Sequence, residues 1–127
     1  MAAVLLDTNV LVYAAYQRSP LHRSAAELVA RGLEERGRYC IAPQNLTEFA
    51  AVTTRRRRAE TPLSTPDLVR MVDRLYRSRN LLKIYPRRGT IMRTIREGAA
   101  LAIYGSAYYD VFLAVTMRDA GIKFIVT

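Results

Sequence analysis

Asp7, Glu48 and Asp110 are the residues through which this chain could do chemistry. Each is a carboxylate set in or beside an apolar stretch. Asp7 interrupts "LLDTNV", Glu48 lies within "PQNLTEFAAV", and Asp110 opens "DVFLAVTM". Taking a carboxylate out of water is costly unless it is paired or bound to a metal. Three of them brought together would make an oxygen donor set for Mg²⁺ or Mn²⁺, hard cations that keep several of their waters. Other chemistries are poorly supplied. A single cysteine, Cys40, excludes an internal disulfide, and with one histidine, His22, there is no thiolate or imidazole cluster for zinc. A histidine-based acid–base pair is excluded on the same count.

Each acid also has a plainer role open to it. Asp7-Thr8-Asn9 suits a helix N-cap or an Asx turn, and Asp110 suits the positive end of a helix macrodipole. In the chemical alternative, Thr8 and Asn9 orient the first carboxylate and the waters of a metal. Glu48 has Gln44, Asn45, Ala51 and Val52 at helical spacing. Those are not the Lys or Arg partners of an ordinary solvated glutamate, so an edge of a cleft and a near-surface accident both stay open. No spacing rule forces the three acids to meet.

The elements that must position them follow from periodicity and turn residues. Residues 2 to 6 read as a short buried strand of the parallel-sheet type, followed by a short helix from Asn9 to Ala15. Ser19-Pro20 opens a longer helix through about Glu35, and Tyr39 to Ala42 is a second strand. Pro43 starts a helix towards Arg57 with Leu46, Phe49, Ala50 and Thr53 inward, and another helix runs from Pro66 to about Arg79. Leu81 to Tyr85 is a third strand. Residues 88 to 103 form a helix broken near Gly98 or ended before Gly105, Tyr108 to Ala120 a further helix, and Ile122 to Val126 the last strand. Val111, Leu113, Ala114 and Val115 should bury that last helix and bring Asp110 close to the sheet. Strands alternating with helices imply a three-layer α/β fold around a parallel sheet of about four strands, where ligands gather at the carboxyl ends of the strands.

The length of 127 residues fits one domain, residues 1–127, and a half-apolar composition supplies a real core. No apolar run approaches the ~20 residues that cross a membrane, and no signal peptide precedes Asp7, so the expected location is cytoplasmic. A net charge of +9 points to a polyanionic partner. Only Lys83 and Lys123 are lysines against 18 arginines. A GC-rich genome and arginine's bidentate fit to phosphate both account for that ratio. Arg55, Arg56, Arg57 and Arg58 form a run that would contact RNA backbone or simply solvate a helix end; Arg87, Arg88, Arg93 and Arg96 could extend the field. Tyr104, Tyr108 and Tyr109 would stack on unpaired bases or, by the stronger expectation, pack in the core or a dimer seam. His22 should lie at the surface at a helix start, and Cys40 in the core.

The amino-terminal strand with Asp7-Thr8-Asn9, the helical "NLTEFAAV" and the block "YYDVFLAVTMRDAGIKFIVT" resemble the PIN-domain ribonucleases, particularly VapC-type toxins of toxin–antitoxin pairs. The resemblance spans nearly the whole chain, in order. It implies a PIN-like fold and a Mg²⁺- or Mn²⁺-dependent ribonuclease with Asp7, Glu48 and Asp110 as the catalytic and metal-binding acids, supported by Thr8 or Asn9. It also implies an RNA substrate, a homodimer and a VapB-type antitoxin as partner. A fourth acidic or amide position expected just after the final strand is not present, because the chain stops at Thr127. Asp119 is a poor substitute, about 13 Å from Asp110 along a helix, and is expected to be a solvated helix-end residue. Truncation and weakened metal binding are both open, and so is a different class: a catalytically silent PIN-like module that binds RNA or an antitoxin.

Overall fold

The computed structural model of the chain describes residues 3–56 and 61–127. Four short strands, β1 (Val4–Leu6), β2 (Tyr39–Ile41), β3 (Leu82–Lys83) and β4 (Phe124–Val126), form one sheet in the order β3-β2-β1-β4. All pairings are parallel, with Leu5 opposite Cys40 on one side and Ile125 on the other. Successive strand side chains point to opposite faces, so each central strand feeds two cores. Leu6 and Ile41 join one, Leu5 and Cys40 the other, and all four are completely buried.

The first face is covered by α1 (Thr8–Ala15), α2 (His22–Glu34), α3 (Pro43–Thr53) and α4 (Thr65–Arg77). They bury Val10, Leu11, Ala25, Phe49 and Leu75 against Leu6 and Ile41. The second face is covered by α6 (Ala107–Asp119), whose Leu113 and Met117 pack with Leu5, Cys40 and Ile84, while α5 (Thr90–Ala100) lies against α6. This is the expected three-layer α/β fold with a parallel four-stranded sheet. Cys40 is core, its thiol pushed up to about 12 by burial. Among the described residues no helix is long and apolar enough to cross a membrane.

Several boundaries differ from the sequence reading. β3 is only two residues, and its Lys83 turns the ammonium back to the end of α4, donating to the carbonyls of Leu75, Ser78 and Leu81. That contact caps a helix end whose carbonyls lack partners, and burial lowers the lysine's pKa. α3 ends at Thr53 rather than near Arg57; Arg55 and Arg56 follow it, exposed, while Arg57 and Arg58 lie outside the described residues, as does Ala2 of the first strand. α5 runs unbroken through Gly98, where the absent Cβ makes room for the Tyr108 ring of α6. Tyr108 is therefore half-buried as anticipated, but Tyr104 and Tyr109 are exposed rather than in the core. His22 opens α2 half-buried, a ring nitrogen 3.0 Å from the Tyr13 carbonyl.

Asp119 is not a solvated helix end. Its side chain is 13% exposed, accepts from the Thr90 hydroxyl and pairs with Arg93, and so binds the end of α6 to the start of α5. Thr90 itself is buried and its oxygen accepts the Arg87 backbone N–H. The Thr90 hydrogen bond, then Arg93, hold the Asp119 carboxyl below its ordinary value. Such a group stabilises the fold above its unfolded pKa and loses that contribution as pH falls through its folded one. Asp119→Ala should accordingly lower the thermal midpoint at neutral pH by about 2–5 °C. The difference from wild type should shrink below the ordinary carboxylate range; a deficit that persisted unchanged at acid pH would remove the carboxylate from the explanation.

Candidate metal-binding active site

Asp7 is placed by the strand that precedes it. Its backbone N–H bonds the Val126 carbonyl at 2.9 Å, so β4 pairs with the chain up to the acid itself. There the extended backbone ends and Asp7 becomes the N-cap of α1, with Oδ1 accepting the Thr8 N–H at 2.8 Å. The capping role and the cleft position coexist. Burial raises the pKa of Asp7; the Thr8 N–H opposes the rise, and the charges of Glu48 and Asp110 add to it. Asp7 thus senses the other two carboxylates.

Glu48 is held at both oxygens. Thr8 Oγ1 donates to Oε2 at 3.0 Å and Gln44 Nε2 donates to Oε1 at 2.7 Å. Behind Thr8 stands Asn45, completely buried, whose Nδ2 donates to Thr8 Oγ1 at 3.2 Å and reaches Asp7 Oδ1 at 3.5 Å. Asn45 is fixed in turn because its Oδ1 accepts the Ala42 N–H at 2.8 Å, satisfying a free backbone donor at the start of α3. Pro43 in the first turn of α3 fixes where that helix begins.

Asp110 comes from the other side of the sheet, in the first turn of α6. It is exposed rather than set down near the sheet, because the buried face of α6 is carried by Leu113, Val115, Thr116 and Met117 further along. The three acids nevertheless line one cleft of about 570 Å³, together with Thr8, Asn9 and Gln44. Its other wall is aliphatic, with Val52, Leu113, Met117, Ile122 and Ile125, and Lys123 contributes a cation. Arg55 and Arg56 are not among its lining residues.

Two features decide whether a divalent cation fits. Among the described residues, the ion pairs join Glu35, Asp67, Asp73, Asp119 and Glu97 to arginines, and none involves Asp7, Glu48 or Asp110. Three unpaired carboxylates in one cleft of a chain with charge +9 are an electrostatic sink waiting for a cation. Against this, no group of three Asp, Glu, His or Cys side chains among the described residues is placed to hold an ion directly. Mg²⁺ and Mn²⁺ do not require such a group, since they bind through one or two carboxylates and retain water. The residues present fit a hydrated hard dication.

Gln44, Asn45 and Lys123 are the site residues that the sequence reading did not single out. Gln44 and Asn45 precede Glu48 by four and three positions on the same helix, and that spacing was the available signal. Lys123 had none, because only the β1–β4 pairing brings it to the cleft.

The chain is matched from residue 4 to 127 by the family model for the PIN domain. Among solved structures it is similar to Mycobacterium tuberculosis VapC20, described as a Sarcin-Ricin loop cleaving toxin. The TM-score is 0.73 at 13% identity, with 97% of this chain and 87% of that one covered. It is also similar to FitAcB from Neisseria gonorrhoeae, with a TM-score of 0.56, 19% identity, and 98% and 86% of the two chains covered. No curated protein sequence matches it significantly. On the family match across nearly its whole length and the three-layer fold that agrees with it, the chain belongs to the PIN domain family.

Proposed function

We propose that the chain is a divalent-cation-dependent endoribonuclease, the toxin of a VapBC-type pair, with Asp7, Glu48 and Asp110 as cation ligands. The observation that carries this reading is the set of three unpaired carboxylates lining one cleft of a strongly basic PIN domain. The chemistry that Mg²⁺ or Mn²⁺ supplies at such a donor set is a lowered pKa for a bound water and charge neutralisation at the phosphate. The protein's part is positional. Asp7 and Glu48 present oxygens from two elements, and Thr8 and Asn45 keep Glu48 from rotating away. Asn9, exposed at the cleft, offers an amide to a cation's waters or to substrate. Lys123 lies where it can meet a phosphate that the acids alone would repel. Attack by water would leave 5′-phosphate and 3′-hydroxyl ends. An antitoxin of VapB type would silence the protein by occupying the same cleft.

The open arrangement of the acids favours a second reading, a module that binds RNA or an antitoxin without cutting. Purified protein, single-stranded RNA and Mn²⁺, with EDTA as control, separate the two: metal-dependent scission supports the nuclease, and a mobility shift without scission supports the module. In the first case Asp7→Asn should reduce the cutting rate at least about a hundredfold, beyond the range typical of groups that only support a metal ligand. A well-folded variant that still cuts would refute the role of Asp7.

The same substitution should stabilise the fold. An acid whose folded pKa is raised is destabilising while ionised, and stability recovers as pH falls through that pKa. Asn keeps the oxygen that caps α1 and loses the charge. In EDTA at pH 7, Asp7→Asn should raise the thermal midpoint by about 2–4 °C. Towards pH 4 the gain should fade as the wild-type carboxyl takes up its proton, and an equal gain at both values would show that the charge of Asp7, buried and then faced by two like charges, is not its source.

A further inference from the structure

Gln44 stands where the two halves of the site meet. It lies one helical turn before Glu48 on α3, on the same helix face. Its Nε2 donates to Glu48 Oε1 at 2.7 Å and to the Tyr109 carbonyl at 3.1 Å. Tyr109 immediately precedes Asp110 in the first turn of α6. Both partners accept only, so the amide has one workable orientation, with Nε2 towards them. Oε1 then faces inward, buried, and no protein donor among the described residues reaches it. A buried acceptor without a donor is destabilising, so stability alone does not account for this placement. The Gln44–Tyr109 contact is also the one hydrogen bond between α3 and α6 among the described residues.

We propose that Gln44 is a positioning residue of the site, a strut between α3 and α6 that sets the separation of Glu48 from Asp110. The proposal rests on the reading of Asp7, Glu48 and Asp110 as the cation ligands. Two carboxylates carried by helices on opposite sides of a sheet hold a shared cation well only if those helices keep a fixed spacing. Glu48 is fastened to α1 through Thr8, whereas Asp110 is paired with no cationic side chain among the described residues. Its position is set through the backbone of its own first turn, and Gln44 holds that turn. Groups that orient metal ligands from behind typically change metal affinity or activity about 10–100-fold when removed.

Gln44→Met keeps the volume and deletes both donors; Gln44→Asn keeps the amide but is one methylene too short to span the two acceptors. Hydrogen exchange on the cation-free protein should show faster exchange over residues 107–111 in either variant, with the strands unchanged. Mn²⁺ binding without RNA, followed by the loss of the free-ion electron paramagnetic resonance signal, should weaken about tenfold. If Gln44→Met does not fold, Gln44→Asn carries both measurements. Wild-type exchange over 107–111 together with wild-type Mn²⁺ affinity in a folded variant would overturn the proposal. Wild-type protein whose Mn²⁺ binding is absent, or is unaffected by Asp7→Asn, would instead refute the ligand assignment, and the exchange measurement would still decide whether Gln44 is the strut.

Discussion

Thr8 has a single hydroxyl hydrogen, and the geometry of the site depends on where it points. The oxygen receives the Asn45 amide, which leaves the hydrogen for Glu48. Asn45 has no freedom to do otherwise, since its own carbonyl is occupied by the Ala42 N–H. The direction of the whole chain of bonds is therefore dictated by the start of α3 and delivered to the carboxylate. Because Thr8 is also the first residue of α1, the same side chain couples two helices and the end of a strand. A buried polar network of this kind is tolerable only when each member is satisfied, and Asn45 and Thr8 meet that condition.

The network holds like charges near each other, which is unfavourable in isolation. Elsewhere five of the acids among the described residues pair with arginines, at the surface and between α5 and α6. At the cleft the acids do not, and Asp7 bears the cost in a raised pKa. Two things limit that cost. The rim is open to solvent at Asn9 and Asp110, and Lys123 lines the same cleft within a chain of net charge +9. What sets the cleft apart is that three carboxylates without an arginine partner line the same space.

Much of this could be read from the chain because the signals were local. The apolar runs at 4–6 and 39–41, each followed at once by a helix start, gave two parallel strands and the edge at which Asp7 would stand. Asn45 was visible as a helical neighbour of Glu48, yet its contacts with Ala42, Thr8 and Asp7 depend on β1 and β2 lying side by side. Asp119 misled because position along one helix says nothing about a second helix packed against it; Thr90 and Arg93 are what enclose it. Asp110 misled in the opposite sense. An apolar sequence promised burial, and Asp110 does share a helix face with Leu113 and Met117, but it stands one turn earlier, in the exposed first turn of α6, so the burial begins only after it.

Lys83 has a consequence beyond capping α4. Its ammonium donates to three carbonyls, so one of the two lysines of the chain is held half-buried against its own backbone. Arginines do not behave as free primary amines, being charged throughout the accessible pH range. Apart from the chain terminus, Lys123, exposed at the cleft, is then the more accessible of the two lysine amines. An acylating fluorophore would settle beside the acids with no engineered cysteine, giving an optical reporter of whatever enters the cleft.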